Sequence, residues 1–268
     1  MFCAARDSLN GGGPVINKIV DSFDGAVADM ADGSTLLIGG FAGPGECPSY
    51  LIAAVARRGT KDLTIVCSVG GWGPDLAAVL RIRMATIVEV PPDWYDQGLL
   101  AQQGQVRKAI VTYPAAPARF LFTPLEQGMM QGQIELELLG HGTLAERIRA
   151  AKGGIAAFYT PVGVGTVVEK GKEVREFNGR QYLLEHALPS DFALIRAHKA
   201  DRYGNLIYRG TSRTFNAVMA GAARVTVAEV DEVVELGELD PEAVVTPGVY
   251  VQRVVVRPKE PRPWNEPM

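Results

Sequence analysis

Glycine, more than any cluster of acids or imidazoles, is the residue whose spacing in this 268-residue chain could do chemistry. The stretch Asp32-Gly-Ser-Thr-Leu-Leu-Ile-Gly-Gly-Phe-Ala-Gly-Pro-Gly-Glu-Cys-Pro48 reads as a buried strand running into Gly39, Gly40, Gly43 and Gly45, with a helix from about Ser49. Glycines after a parallel strand let the backbone turn sharply and approach a ligand. The next helix N-terminus would offer free N–H groups and a positive dipole end to an anion such as phosphate. A tight strand-to-helix turn without a ligand is the plainer alternative. A second cluster, Ser68-Val69-Gly70-Gly71-Trp72-Gly73-Pro74-Asp75, follows the next apolar run, with Asp75 read as a helix cap. A third, Thr160-Pro-Val-Gly-Val-Gly-Thr166, follows residues 155–159. Three such loops on one rim look like a site. The first does not fit G-x-G-x-x-G, and G-x-x-x-x-G-K-[ST] is absent, so a dinucleotide or P-loop site is disfavoured.

The other reactive residues are sparse. Glu46 beside Cys47 could act as a local nucleophile pair, although a cysteine in a packed loop is more often inert. His141 sits among glycines, where an imidazole could orient an acyl group or move a proton; His186 and His198 read as strand residues with ordinary partners. No His, Cys or Asp cluster has metal-ligand spacing, so no metal is expected.

The elements that must position these residues alternate in type. Apolar, β-branched runs at 35–38, 63–68, 86–90, 108–112 and 134–138 read as buried strands, and helical patterns cover 23–31, 49–58, 119–131 and 143–150. The last carries the S/T-x-x-E spacing of a capping box in Thr143 and Glu146. Such alternation implies crossovers and a parallel sheet covered by helices. Residues 173–185 read instead as a hairpin around Asn178-Gly179, a type I′ signal. Further strands are expected at 191–199, 206–209, 225–230 and 249–256, with a short helix near 216–222. The fold class is therefore α/β, an open mostly parallel sheet flanked by helices with an additional antiparallel or mixed β region. A single domain is expected over 15–257, between loose tails at 1–14 and 258–268.

Composition narrows the function classes. A net charge of −3 gives no basic field for a nucleic-acid backbone and no polybasic patch for anionic lipid. Three cysteines without a CxxC argue against a disulfide or zinc framework and favour a reducing compartment. The longest uncharged run, residues 153–168, falls short of a membrane span, and the first residues lack the apolar core of a signal peptide. A soluble cytoplasmic protein is expected, with neither nucleic acid nor membrane as partner.

Residues 32–48 return in a longer pattern. Together with Gly142-Thr-Leu-Ala-Glu-Arg-Ile-Arg149, Ala157-Phe-Tyr-Thr-Pro-Val-Gly-Val-Gly-Thr166 and Glu235-Leu-Gly-Glu-Leu-Asp-Pro241, the chain resembles the A (alpha) subunit of family I CoA-transferases of the 3-oxoacid and 3-oxoadipate type. Supporting runs are Asp191-Phe-Ala-Leu-Ile-Arg-Ala-His-Lys-Ala-Asp201, Gly204-Asn205-Leu206 and Thr246-Pro-Gly-Val-Tyr-Val-Gln-Arg-Val254, and the likeness covers about residues 16–256. It implies one half of an A2B2 enzyme. A glutamate of the B partner attacks an acyl-CoA; an acyl anhydride, then a glutamyl-CoA thioester, form before CoA passes to a second carboxylate, a difficult transfer split into easier ones. No catalytic residue is then expected in this chain, with His141 as an auxiliary at most. By the same resemblance Gly39, Gly40, Phe41, Ala42, Gly43, Pro44 and Gly45 would contact CoA, and Glu46, Ser68, Val69, Gly70, Gly71 and His141 would line the substrate cleft. Coenzyme A enters as the acyl-CoA substrate, and no permanently bound cofactor is expected.

Departures from the family pattern fall at the cleft. The glycine loop ends Gly45-Glu46-Cys47-Pro48 where relatives usually have Gly-x-Pro. Ser68-Val69-Gly70 stands where Ser-Asn-Asn is common, and Gly140-His141-Gly142 where Pro-Gln-Gly is usual. Amide donors are thereby lost and a group titrating near neutral pH is gained. The segment 72–104 also matches poorly. These differences motivate two alternatives: a CoA-ester hydrolase or ring-opening enzyme on the same scaffold, or a non-catalytic CoA-binding module.

Overall fold

Leu36, Leu37 and Ile38 follow one another in the chain and all are buried, so their strand needs cover on both faces. The computed structural model, which describes residues 16–41, 46–73, 95–115 and 122–258, supplies that cover. Among these residues seven strands lie side by side in the order β4 (Glu135–Leu138), β3 (Val106–Tyr113), β2 (Leu63–Val69), β1 (Thr35–Ile38), β8 (Ser190–Asp201), β10 (Ala223–Val234) and β11 (Arg253–Val256). Every neighbouring pair is parallel. The two-residue β9 (Leu206–Ile207) adds antiparallel to β8. A separate antiparallel sheet has the order β5 (Ala157–Thr160), β7 (Arg180–His186), β6 (Val174–Phe177). The expected open parallel sheet with an antiparallel excursion is what the chain forms.

Side chains alternate across the sheet with the period of two that strands impose. Leu36, Ile38, Ile65, Cys67, Phe192 and Leu194 face a core shared with α1 (Phe23–Ala26), α2 (Ser49–Arg58), α3 (Gly98–Gln102) and α4 (Pro124–Met130). Leu37, Val66, Ala193 and Ile195 face the opposite core, which α5 (His141–Lys152) and α6 (Thr214–Met219) close with Leu144, Ile148, Phe215 and Met219. Fully burying each large aliphatic side chain contributes about 1.5–3 kcal/mol.

Strand order reverses at β1. From there the chain steps outward through β2, β3 and β4, while β8, β10 and β11 fill the other side. The carboxyl ends of β1 and β8 thus form a topological switch point, the place where open α/β sheets receive ligands.

Several boundaries differ from the sequence reading. The third glycine stretch does not lie on the parallel rim, because residues 157–160 pair antiparallel with β7; its Val162 packs near Gly140, at the start of α5. Thr143 is buried inside α5 and caps nothing, since the helix begins two residues earlier with Gly140 as its N-cap. The capping box belongs to α4, where Thr123 and Glu126 exchange both bonds. The helix expected at 23–31 stops at Ala26, with Gly25 weakening it from within. The strand expected at 249–256 begins only at Arg253, after a 3-10 turn at Gly248–Tyr250, and the one at 206–209 is only Leu206–Ile207. Asn178 and Gly179 both take positive φ, 51° and 75°, as the type I′ turn requires. The strand expected at 86–90, Asp75, and the first residues of the helix expected at 119–131 lie outside the described residues.

Candidate functional site

Two of the three glycine loops meet over the switch point, and a hydroxyl joins them. Gly39 donates its N–H to the Leu194 carbonyl of β8 at 2.9 Å, carrying the pairing one residue past β1. Gly40 then turns with φ 105°, where a side chain would be strained and would also press on Cys47 Sγ and the Glu46 carbonyl. Ser68, buried near the end of β2, donates Oγ–H to the Gly40 carbonyl at 3.2 Å. One strand further on, Thr112 of β3 donates its hydroxyl to the Ser68 carbonyl at 2.5 Å. The same Thr112 oxygen stands 2.8 Å from Nε2 of His141, the first residue of α5. The imidazole in turn packs against Phe41, ring centroids 5.1 Å apart, and Phe41 stacks on Phe215 of α6 at 6.1 Å. Gly40, Ser68, Thr112, His141 and Phe41 form a closed ring of contacts around the ends of three adjacent strands.

Glu46 lies behind this ring. Its carboxylate is buried and accepts the Phe41 N–H at 3.0 Å, which closes the glycine loop on itself. Val69 ends β2, and its carbonyl accepts from Gln97 Nε2 at 2.7 Å. Gly70 packs where a Cβ would meet Leu125 at 2.6 Å, and Gly71 turns with φ 82°. The structure therefore brings Gly39, Gly40, Phe41, Glu46, Ser68 and His141 together, with Val69, Gly70 and Gly71 continuing the same rim. Ala42, Gly43, Pro44 and Gly45 lie outside the described residues.

Three groups that hold the rim carry little sequence signal of that role. Asn216 of α6 is fully buried; its Oδ1 accepts the Arg196 N–H at 2.9 Å, and its Nδ2 donates to the carbonyls of Glu46 and Ser212 at 2.9 and 2.7 Å. Asp96 gathers the second loop, accepting from the N–H groups of Trp72, Gly73 and Gly98 at 2.6, 3.0 and 2.9 Å. Burial pushes its carboxyl above the usual carboxylate range, and the three N–H donors work against that shift. Glu229 of β10 is the third. Its one signal in the sequence is to be a lone acid in the apolar run 225–230, the pattern of a buried and partnered charge.

Glu229 also overturns one expectation. The N-terminus of α2 is not an open anion site, because the N–H groups of Tyr50 and Leu51 both donate to Glu229 Oε2 at 3.0 Å. Those of Ser49 and Ile52 go to the carbonyls of Cys47 and Pro48. A carboxylate from across the sheet already occupies the place where a phosphate was expected.

The rim's own reactive groups are committed elsewhere. Cys47 and Cys67 are both free thiols but buried, and burial is the main cause holding each well above the ordinary thiol range. Both should react with an aromatic disulfide reagent at least about a hundredfold more slowly in the native protein than in urea. Native reaction at the unfolded rate would show that the loop opens readily. Among the described residues, no group of three His, Cys, Asp or Glu side chains could hold a metal ion.

A rim of glycine backbone, one imidazole and an aromatic pair, set at the switch point of a parallel sheet, defines an α/β protein of the open parallel-sheet class. The chain belongs to the coenzyme A transferase family, whose sequence model matches residues 20–257. It is 46% identical over 242 residues to the A subunit of 3-oxoadipate CoA-transferase from Pseudomonas putida, covering 90% of this chain and 94% of that one. It is 41% identical over 241 residues to the A subunit of succinyl-CoA:3-ketoacid coenzyme A transferase from Helicobacter pylori, covering 89% and 92%. The fold is shared with a solved acyl-CoA transferase of Escherichia coli O157:H7 in a thioester complex with CoA, at a TM-score of 0.75 and 23% identity over 91% of this chain and 48% of that one. Among the described residues no helix is long and apolar enough to cross a membrane.

Proposed function

We propose that this chain is the A subunit of a heteromeric CoA-transferase that moves CoA from an acyl-CoA donor such as succinyl-CoA to a 3-oxo acid. The observation that carries the reading is 46% identity along nearly the whole length of the A chain of a 3-oxoadipate CoA-transferase. The attacking carboxylate comes from the B partner: it expels the CoA thiolate to give an acyl anhydride. The thiolate then attacks the enzyme acyl carbon, releasing the donor's carboxylate and leaving an enzyme–CoA thioester. The acceptor carboxylate runs the same two steps in reverse, so that the thiolate ends on the acceptor's acyl carbon and the enzyme carboxylate is freed. No net proton or electron is consumed.

The committed groups of the rim support that division of labour. The Ser68 hydroxyl is engaged as a donor to the Gly40 carbonyl, the Glu46 carboxylate accepts from the Phe41 N–H, and the thiols of Cys47 and Cys67 are buried. In this reading residues 15–257 act as one domain, the loop that begins at Gly39, Gly40 and Phe41 is the wall against which CoA lies, and Ser68, Val69, Gly70, Gly71 and His141 face the acyl group. An A2B2 assembly in the cytoplasm, without a resident cofactor, completes it. The hydrolytic, ring-opening and non-catalytic alternatives are not favoured by full-length relatives that are named as transferase subunits.

Co-expression with its B partner and a coupled assay over a panel of acyl-CoA donors and carboxylate acceptors tests the proposal. Transfer to a 3-oxo acid should need both chains. Transfer by this chain alone, or thioester hydrolysis without transfer by the pair, would refute it.

A further inference from the structure

Of the two hydroxyl protons in the ring of contacts at the rim, Ser68's points at Gly40, and the position of Thr112's fixes which nitrogen of a neutral imidazole carries the proton. Thr112 has a single O–H, which can point at only one acceptor. The Ser68 carbonyl, 2.5 Å away, has no proton of its own and must receive it. Thr112 Oγ1 therefore faces His141 Nε2, 2.8 Å away, with a lone pair, so the proton in that bond comes from the histidine. A neutral imidazole carries one N–H, which places it on Nε2 and leaves Nδ1 bare.

The ring is also held against rotation. Phe41 packs on it with planes 49° apart, and Phe215 lies parallel to Phe41, with 5° between the ring planes. Gly140 and Gly142 flank His141 without side chains of their own. Among the described residues Nδ1 has no hydrogen-bond partner, and His141 is exposed at the mouth of the rim.

We propose that Thr112 is a positioning residue that locks His141 in the Nε2–H tautomer, so that Nδ1 faces the cleft as a bare hydrogen-bond acceptor for an amide N–H of the bound CoA ester, whose acyl oxygens can only accept. Only the second half rests on the transferase reading. The tautomer is a property of the chain itself.

Long-range nitrogen–proton correlation spectra of the full chain labelled at its histidines, with His141 assigned by loss of its signals in His141→Gln, test the first half. The unprotonated nitrogen of His141 should be Nδ1. Thr112→Val, which keeps the shape but removes the acceptor, should give a mixture of tautomers, and Thr112→Ser should restore the wild-type spectrum. A bare Nε2 in the wild type, or a tautomer unmoved by Thr112→Val, would overturn the proposal.

The second half is read in the reconstituted enzyme. His141→Gln keeps a donor within reach of Thr112 but has no atom in place of Nδ1, so kcat should fall about three- to tenfold with little change in melting temperature. Full activity in His141→Gln would exclude Nδ1 as the contact atom. A wild-type enzyme that transfers CoA to no acceptor would refute the transferase reading and leave the spectroscopic result standing.

Discussion

Gly39→Ala lowers the melting temperature by about 6–15 °C and removes most of the transfer activity of the reconstituted enzyme. An ideal Cβ at this position falls 1.8 Å from Asn216 Oδ1 and 2.7 Å from its Cγ, far inside any real contact. The asparagine cannot swing aside cheaply. It is fully buried and holds Arg196, Glu46 and Ser212 through three hydrogen bonds to their backbones. Breaking these, and leaving their buried partners unpaired, costs about 3–5 kcal/mol, and a chain of this size loses about 2–3 °C per kcal/mol. Activity falls with stability because the Glu46 carbonyl and the Gly40 turn belong to the same loop, and a displaced Asn216 releases the loop first. Gly142→Ala is the contrast. It lies in α5 with nothing within 4 Å of an added Cβ, so its melting temperature should hold or rise slightly. The double variant Gly39→Ala/Asn216→Ala should be less damaging than the sum of its parts, since removing the amide removes the clash. Strict additivity of the two would show that Gly39 and Asn216 do not meet.

That pair also marks how far the sequence can be read. The strand at 35–38, the glycines after it and the helix from Ser49 follow from local rules, because β-branched runs, chain turns and helix periodicity are written in neighbouring residues. His141 can be placed near glycines by its flanking residues alone. What holds the rim in shape is not local. Asn216 lies 170 residues from the carbonyl it grips, and Glu229 lies 178 residues from the N–H of Leu51. Thr112 reads as one more residue of an apolar strand, and only the parallel register of β2 and β3 puts it beside Ser68. The helix after the glycines lies where its periodicity puts it, yet its N-terminus is not the open site that local rules imply. Free N–H groups at a helix start are a local expectation, whereas the carboxylate that takes them comes from across the sheet.

Glu229→Ala is the second large effect, a loss of about 3–5 kcal/mol with a melting temperature lower by about 10 °C. The carboxylate is wholly buried, seats the first turn of α2 through Tyr50 and Leu51, and stands 3.1 Å from Arg257 Nε. Alanine leaves two backbone donors without this acceptor and takes a carboxylate away from a buried guanidinium, which keeps Asp231 at 3.8 Å. Glu229→Gln keeps an acceptor oxygen for the helix and should lose less. The two variants also differ with pH. Burial is the largest influence on Glu229 and raises its carboxyl above the usual carboxylate range, against the opposing pull of Arg257 and Arg196. The folded chain then binds this proton more tightly than the unfolded one, whose glutamates titrate near ~4.3. Glu229 accordingly contributes most to stability below that value, and its contribution declines as the pH rises through the raised folded pKa. Glutamine does not titrate, so the stability of wild type relative to Glu229→Gln should decrease between acidic and neutral pH in urea unfolding. A difference that grew with pH would mean that the Arg257 pair outweighs burial. In that case the carboxylate would hold α2, and with it the glycine loop, mainly by its charge.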